Sequence, residues 1–262
     1  MSTARMRMVT TTSTITSMIT GTITATSMIM PTATATNMGE APLALFAWLS
    51  PSYPVGAFAY SHGLEWAVES GDVRDGETLS DWLESLLLNG SGRNDALIFA
   101  AAFHAGARGG WGELGEVAEL SAALAPSRER RLESLQQGAA FLDATLAAWP
   151  CARLTQAAAA IGAHTSYPVC FAAAVAAHGL ALRPALDGFI AAFAANLVSA
   201  AVRLSVVGQT QGQGIVARLA PLAARLAQEC ESGDLDALGG CAFRADLASL
   251  RHETQYSRLF RS

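Results

Sequence analysis

The sequence predicts an all-α fold: a single-domain bundle of about ten helices over residues 40–262. Two observations carry this. From Leu43 on, apolar residues recur at helical spacing rather than in alternation. Val, Ile and Thr never alternate with polar residues long enough to mark a strand.

The helices can be justified in order. Residues 43–50 form a short first helix, stopped by Pro51 and Pro54, whose rings cannot continue it. A glycine-bearing loop follows, then a helix over residues 61–70 that breaks at Gly71-Asp72. Thr78-x-x-Asp81 reads as a capping box opening a helix with Leu79, Trp82, Leu83, Leu86 and Leu87 on one face. Asn89-Gly90-Ser91-Gly92 ends it, glycine supplying the left-handed turn. Further helices are expected over residues 94–107, 113–124, 127–148, 153–163 and 169–178. Residues 185–206 are the most regular: Leu186, Phe189, Ile190, Phe193 and Leu197 share one face. Small residues (Ala191, Ala195, Ser199) line the other, and only Asp187 and Arg203 are charged, which places this helix at the bundle centre. Gly208 to Gly214 opens a long helix to about Glu229, and a short one lies near residues 243–252.

Composition excludes several chemistries. All 17 basic residues are Arg, so no Walker lysine, Schiff base or lysine base exists. Against 22 acids the net charge is −5, which argues against nucleic acid as a partner. The cysteines (Cys151, Cys170, Cys230, Cys241) stand singly in Ala-rich or apolar settings, so no zinc site is expected and they read as small buried hydrophobes. The five histidines (62, 104, 164, 178, 252) form no ligand pair, so no metal-binding residue is assigned. The 29 residues between Arg153 and Arg183 carry no fixed charge, but Gln, His and Pro interrupt them and Ala barely drives insertion. No membrane contact and a cytoplasmic location are expected. Residues 1–39 are a Thr/Met/Ser-rich extension without a single acid, expected to be disordered and outside the fold.

Three segments stand out. The first runs from Leu49 through Pro54, Gly56, Phe58, Tyr60, Ser61 and His62 to Glu65, with prolines fixing its entry and glycines allowing close approach. Ser61, His62 and Glu65 suggest a nucleophile, base and orienter, but adjacent helical residues point about 100° apart, so a helix–loop–helix corner is preferred. The second joins Arg203-Leu204 to Gly208-Gln209-Thr210-Gln211-Gly212-Gln213. A glycine-rich loop before a helix can cradle an anion, but no strand precedes it and no Lys accompanies it. The third is the tail, whose last twelve residues hold three Arg, one His, one Tyr and one Phe. Aromatic and Arg side chains dominate interface hot spots, and Leu259-Phe260 is expected to be exposed.

These segments together resemble the UreF family of urease accessory proteins. The first matches a Pro-hydrophobe-Gly turn leading into Ser-x-Gly-Leu-Glu, continued by Gly90-Ser91-Gly92-Arg93-Asn94-Asp95-Ala96. The second matches Arg-Leu followed by Gly-Gln-x-x-Gly-Gln; Val206-Val207 departs from the family's usual Pro-Leu. The tail resembles the family's C-terminus.

The resemblance implies a non-enzymatic chaperone with no catalytic residue, which forms a helical homodimer. It would bridge a scaffold subunit (UreD or UreH) to the GTPase UreG and support nickel insertion into apo-urease. Nickel would be handled by the complex, with no cofactor held tightly. On this view Arg251, His252, Glu253, Tyr256, Arg258, Leu259 and Phe260 dock the scaffold subunit and order on binding. The turn from Pro54 to Glu65 packs beneath them, and Gln209, Gly212 and Gln213 support the central surface. Removal of residues 251–262 is expected to leave the helical core intact. Two rivals stand beside this: a GTPase-activating protein offering Arg203, Arg244 or Arg258 in trans, and an all-α hydrolase using Ser61, His62 and Glu65.

Overall fold

The computed structural model describes residues 40–262; residues 1–39, and the expectation of disorder placed on them, lie outside the described residues. Eleven α-helices and two short 3-10 turns are present among the described residues, with no strand. In order they are α1 (Glu40–Leu49), α2 (Leu64–Glu69), α3 (Gly76–Asn89), α4 (Ser91–Arg108), α5 (Trp111–Ala123) and α6 (Arg128–Ala148). Then come α7 (Ala152–Ile161), α8 (Tyr167–Ala177), α9 (Leu182–Arg203), α10 (Gln209–Cys230) and α11 (Phe243–His252).

The central helix is α8, not α9. Every residue from Pro168 to Ala176 is buried, and α8 packs between α4 and α6. An α-helix that is apolar all round can only be satisfied inside a bundle. The same Ala-rich, uncharged composition that argues against membrane insertion therefore marks the core. Helix α9 is long and apolar enough to cross a membrane on length and composition, yet half of its apolar window is buried. It lies on the flank, with Ala191, Ala195 and Ser199 exposed and α10 against another side. Gly212 lets the two approach: a Cβ there would stand 2.8 Å from Val198 Cγ1.

Aromatic rings fill the junction of α1, α4, α6, α8 and α9. Trp48 meets Phe141 and Phe171 edge-on, with ring centroids 5.9 and 6.1 Å apart. Phe171 in turn packs on Phe99 and Phe189. Such pairs add about 0.5–1.5 kcal/mol each beyond their burial.

Local signals set most helix ends. The capping box of α3 lies one turn earlier than expected: Asp75 is the cap, accepting from Thr78 N at 2.9 Å, while the Thr78 hydroxyl accepts from Asp75 N. Thr78 is thus the third helical residue rather than the cap. Ser127 caps α6 by accepting from Arg130 N at 3.1 Å. Cys170 and Cys230 are buried and Cys151 half-buried, but Cys241 is exposed, contrary to its apolar reading.

Candidate functional site

The turn after α1 and the tail after α11 are packed against each other. Gly56 starts a 3-10 turn (Ala57–Ala59) with a left-handed backbone. His62 and Gly63 then take φ of 63° and 78° in succession, which reverses the chain into α2. A non-glycine residue at such φ is uncommon and needs external support. For His62 that support is a contact from each ring nitrogen: Nδ1 to Glu133 Oε1 at 3.2 Å and Nε2 to Ser91 Oγ at 2.8 Å. Gly63 is required for a second reason. A Cβ there would lie 2.8 Å from Ser249 N on α11, so α2 and α11 touch through their backbones.

Glu65 grips the tail by its main chain. Its Oε1 accepts from Leu259 N at 2.6 Å, and its Oε2 accepts from Phe260 N at 2.9 Å. Around this, Ser61 N donates to the Ser262 carbonyl at 2.7 Å, and Arg261 N donates to Ala59 O at 2.9 Å. The Ser61 hydroxyl also bonds the Ser262 carbonyl. His252 is fully buried between two carboxylates, Glu65 Oε2 at 3.2 Å and Glu129 Oε2 at 2.6 Å. Arg258 pairs with Glu129 at 2.6 Å. Glu253 accepts from the open amides at the start of α6, Arg128 N at 2.8 Å and Glu129 N at 3.4 Å, where negative charge is favoured.

The sequence-assigned residues therefore divide. Pro54, Gly56, Phe58, Arg251, Tyr256, Arg258 and Leu259 are exposed, Tyr256 completely. Tyr60, Ser61, His62, Glu65, His252 and Phe260 are buried, and Glu253 is half-buried. Phe260 is 4% exposed, against the expectation of an exposed Leu259-Phe260 pair; only Leu259, 65% exposed, faces out. The alternation follows from the pinned backbone, which turns one of the two neighbouring side chains inward. Helix α11 carries an exposed apolar stripe of its own, Phe243, Leu247 and Leu250. The central turn is built differently: Gly208 caps α10, Gly212 N bonds Gly208 O at 2.8 Å, Gly212 is buried, and Gln209 and Gln213 are exposed.

Beneath the turn lies a cavity of about 270 Å³, walled by Trp48, Val55, Tyr167, Phe189 and Phe193. Its polar end holds His62, Asp95, Arg130 and Glu133. Burial and the nearby Arg130 guanidinium lower the His62 pKa to about 4, so the imidazole is neutral at pH 7. Burial works against ionisation of Glu133, but Arg130 and His62 outweigh it and hold the carboxyl well below the usual range. Burial pushes Asp95 up to about 6, with Arg130 opposing. Arg130 itself pairs with Glu133 while its Nε finds no hydrogen-bond partner.

The relay of Ser61, His62 and Glu65 does not form: Ser61 and Glu65 are bonded to the tail rather than to His62. Ser91, His62 and Glu133 are connected as nucleophile, base and orienter, but an imidazole neutral down to about pH 4 is a weak base. Of the candidate arginine fingers, Arg258 and Arg244 pair with Glu129 and Asp72, and Arg203 is stacked between rings. Among the described residues no three His, Cys, Asp or Glu side chains converge as a metal site.

The sequence reading gave no role to Glu129, Arg130 and Glu133, because Glu129 and Glu133 meet His252, Arg258 and His62 only in the fold. The usable signal was spacing: Arg130, Glu133, Gln137 and Phe141 fall on one α6 face and are all buried.

Comparison with known proteins fits this geometry. The profile of the UreF family matches residues 73–220. A urease accessory protein UreF from Methylorubrum populi is 54% identical over 220 residues, covering 84% of this chain and 98% of the relative. The corresponding protein of Xanthobacter autotrophicus is 57% identical over 220 residues, covering 84% and 90%. That of Methylobacterium radiotolerans is 56% identical over 221 residues, covering 84% and 96%.

Proposed function

Because the chain belongs to the UreF family of urease accessory proteins, which supports urease maturation, we propose that it acts as a bridge. Its tail face docks a scaffold subunit (UreD or UreH), and the pair positions the GTPase UreG against apo-urease. Nickel is the cargo of that assembly, and the chain itself carries out no chemical step. The observation that supports this most is the tail's pinned backbone. Tyr256 and Leu259 stand fully or largely exposed, with Arg251, Arg258 and Arg261 exposed on the same segment, whose main chain is held by Glu65, Ser61 and Ala59. Exposed apolar groups rimmed by Arg suit an interface; in place of the ordering on binding expected from the sequence, a segment already held by its main chain binds without the cost of ordering.

Homodimer formation belongs to the same reading. Leu43 and Phe46 of α1 are 61% and 71% exposed. Leu49 packs on Gly188 beside the small-residue flank of α9. A second copy covering this apolar flank would bury it. The proposed location is the cytoplasm.

Affinity capture from urease-positive cells, using wild-type protein and the double variant Tyr256→Asp, Leu259→Asp, tests the bridge. Both side chains are exposed, so the variant is expected to keep its helical spectrum and melting temperature. Recovery of scaffold and UreG by the wild type alone supports the assignment. Equal recovery by both forms removes the tail as the docking site.

A further inference from the structure

Arg203 ends α9 and joins three segments. Its guanidinium carbon lies 4.0 Å from the Phe58 ring centroid and 4.4 Å from that of Phe260. Nη1 donates to the Phe58 carbonyl, and Nε donates to Ser199 O at 3.3 Å. Nη2 is buried with no hydrogen-bond partner, and burial lowers the side chain's pKa. Among the described residues it makes no ion pair.

A part-desolvated cation held only by ring faces and carbonyls is not the cheapest filler for this gap. An apolar side chain of similar volume would avoid the desolvation cost and leave no donor unpaired. What the guanidinium supplies is shape: a flat plate matching two rings, with a fork of donors to fix their carbonyls. One of those rings, Phe58, is 71% exposed and belongs to the turn; the other, Phe260, is 4% exposed and anchors the tail.

We propose that Arg203 is a positioning residue for partner docking: it sets the relative geometry of Phe58 and the tail before the partner arrives. The proposal rests on the reading that this face docks the scaffold subunit. Tyr256, Leu259 and Phe58 are then presented as one fixed surface. Loss of the plate should loosen that surface without loosening the bundle.

The test uses the full chain with purified scaffold subunit, comparing wild type, Arg203→Lys and Arg203→Met. Lysine keeps the charge and loses the plate; methionine fills the gap without charge. Three quantities are read: scaffold affinity, amide exchange in residues 259–262, and melting temperature. Both variants are expected to lose at least tenfold in affinity and to exchange the tail amides at least tenfold faster, with unchanged protection in α4 and α8. Arg203→Met is expected to melt at or above the wild-type temperature, a separation of stability from docking that a merely structural residue would not give. Native exchange in the tail of both variants overturns the proposal. Faster tail exchange with wild-type affinity also overturns it, provided the Tyr256→Asp, Leu259→Asp control has lost binding. If that control still binds, the docking reading itself fails, and tail exchange alone decides whether Arg203 sets the tail's geometry.

Discussion

Glu65 binds backbone rather than a charged side chain alone, and that makes it hard to replace. Glu65→Gln turns one acceptor oxygen into a donor facing an amide N–H or His252. Leaving a buried donor unpaired next to a broken charge network costs about 2–4 kcal/mol. Urea denaturation at neutral pH should show that loss, and amide exchange should show the tail released first. The cavity groups make a separate prediction about pH. His62 has its folded pKa depressed to about 4, so its contribution is complete above the unfolded value of about 6.5 and declines as pH falls toward 4. Asp95 has its folded pKa raised to about 6, so its neutral form is favoured and its ionisation weakens the fold as pH rises through 6. Asp95→Asn should therefore stabilise by roughly 1–3 kcal/mol at pH 7 and lose that advantage by pH 4. His62→Asn, which tolerates the left-handed backbone, should flatten the decline between pH 6.5 and 4. Denaturation midpoints across pH 4–8 check both. At this scale the packing of the turn beneath the tail was legible in the sequence, whereas the inward facing of His252 and Phe260 was not. Ser61, Glu65, His252 and Phe260 belong to the site region, but as internal fastenings. Their partners in the fastening lie 123 to 201 residues away in sequence, and no local pattern encodes such a pairing.

Helices were the legible level, since periodicity and caps are local. The reading slipped once for a local reason and once for a tertiary one. The α3 box moved one turn because Asp75 caps better than Thr78, and Thr78 serves as its reciprocal partner. The roles of α8 and α9 exchanged because apolar length does not distinguish a surrounded helix from one with a bare flank. Helix packing also fixes glycines that sequence alone leaves neutral. A Cβ at Gly138 of α6 would fall 1.8 Å from Thr165 O, in the segment leading into α8. Gly138→Ala must push α6 off the central helix and should cost more than about 3 kcal/mol or prevent folding. Gly214 on α10 has nothing within 4 Å, so Gly214→Ala should add about 0.5–1 kcal/mol through helix propensity. Thermal melts of the pair, followed by circular dichroism, give opposite signs if the packing is as described.

For the whole molecule, the tail is part of the closure rather than an appendage. The sequence suggested that removing residues 251–262 would spare the core. In the structure that deletion strands Glu65 and Glu129, takes the Ser262 hydroxyl from Glu133, opens the start of α6 and uncovers Arg203. Deletion of residues 253–262 should lower the melting temperature by about 5 °C or more, on the scale of a loss of several kcal/mol. In the intact chain the tail amides should exchange with the slow core rather than with frayed ends. A melting temperature unchanged by the deletion would return the tail to the status of an appendage. The pairing of turn with tail also sets an order of assembly. Ser61 meets Ser262 across 201 residues, and Glu65 meets Phe260 across 195. At about 5–20 residues per second on the ribosome, Glu65 waits roughly 10–40 s for its amides. Through that interval the turn is unlatched and its buried carboxylate is wet, so a nascent chain halted before residue 259 is expected to remain a substrate for proteases and holdase chaperones.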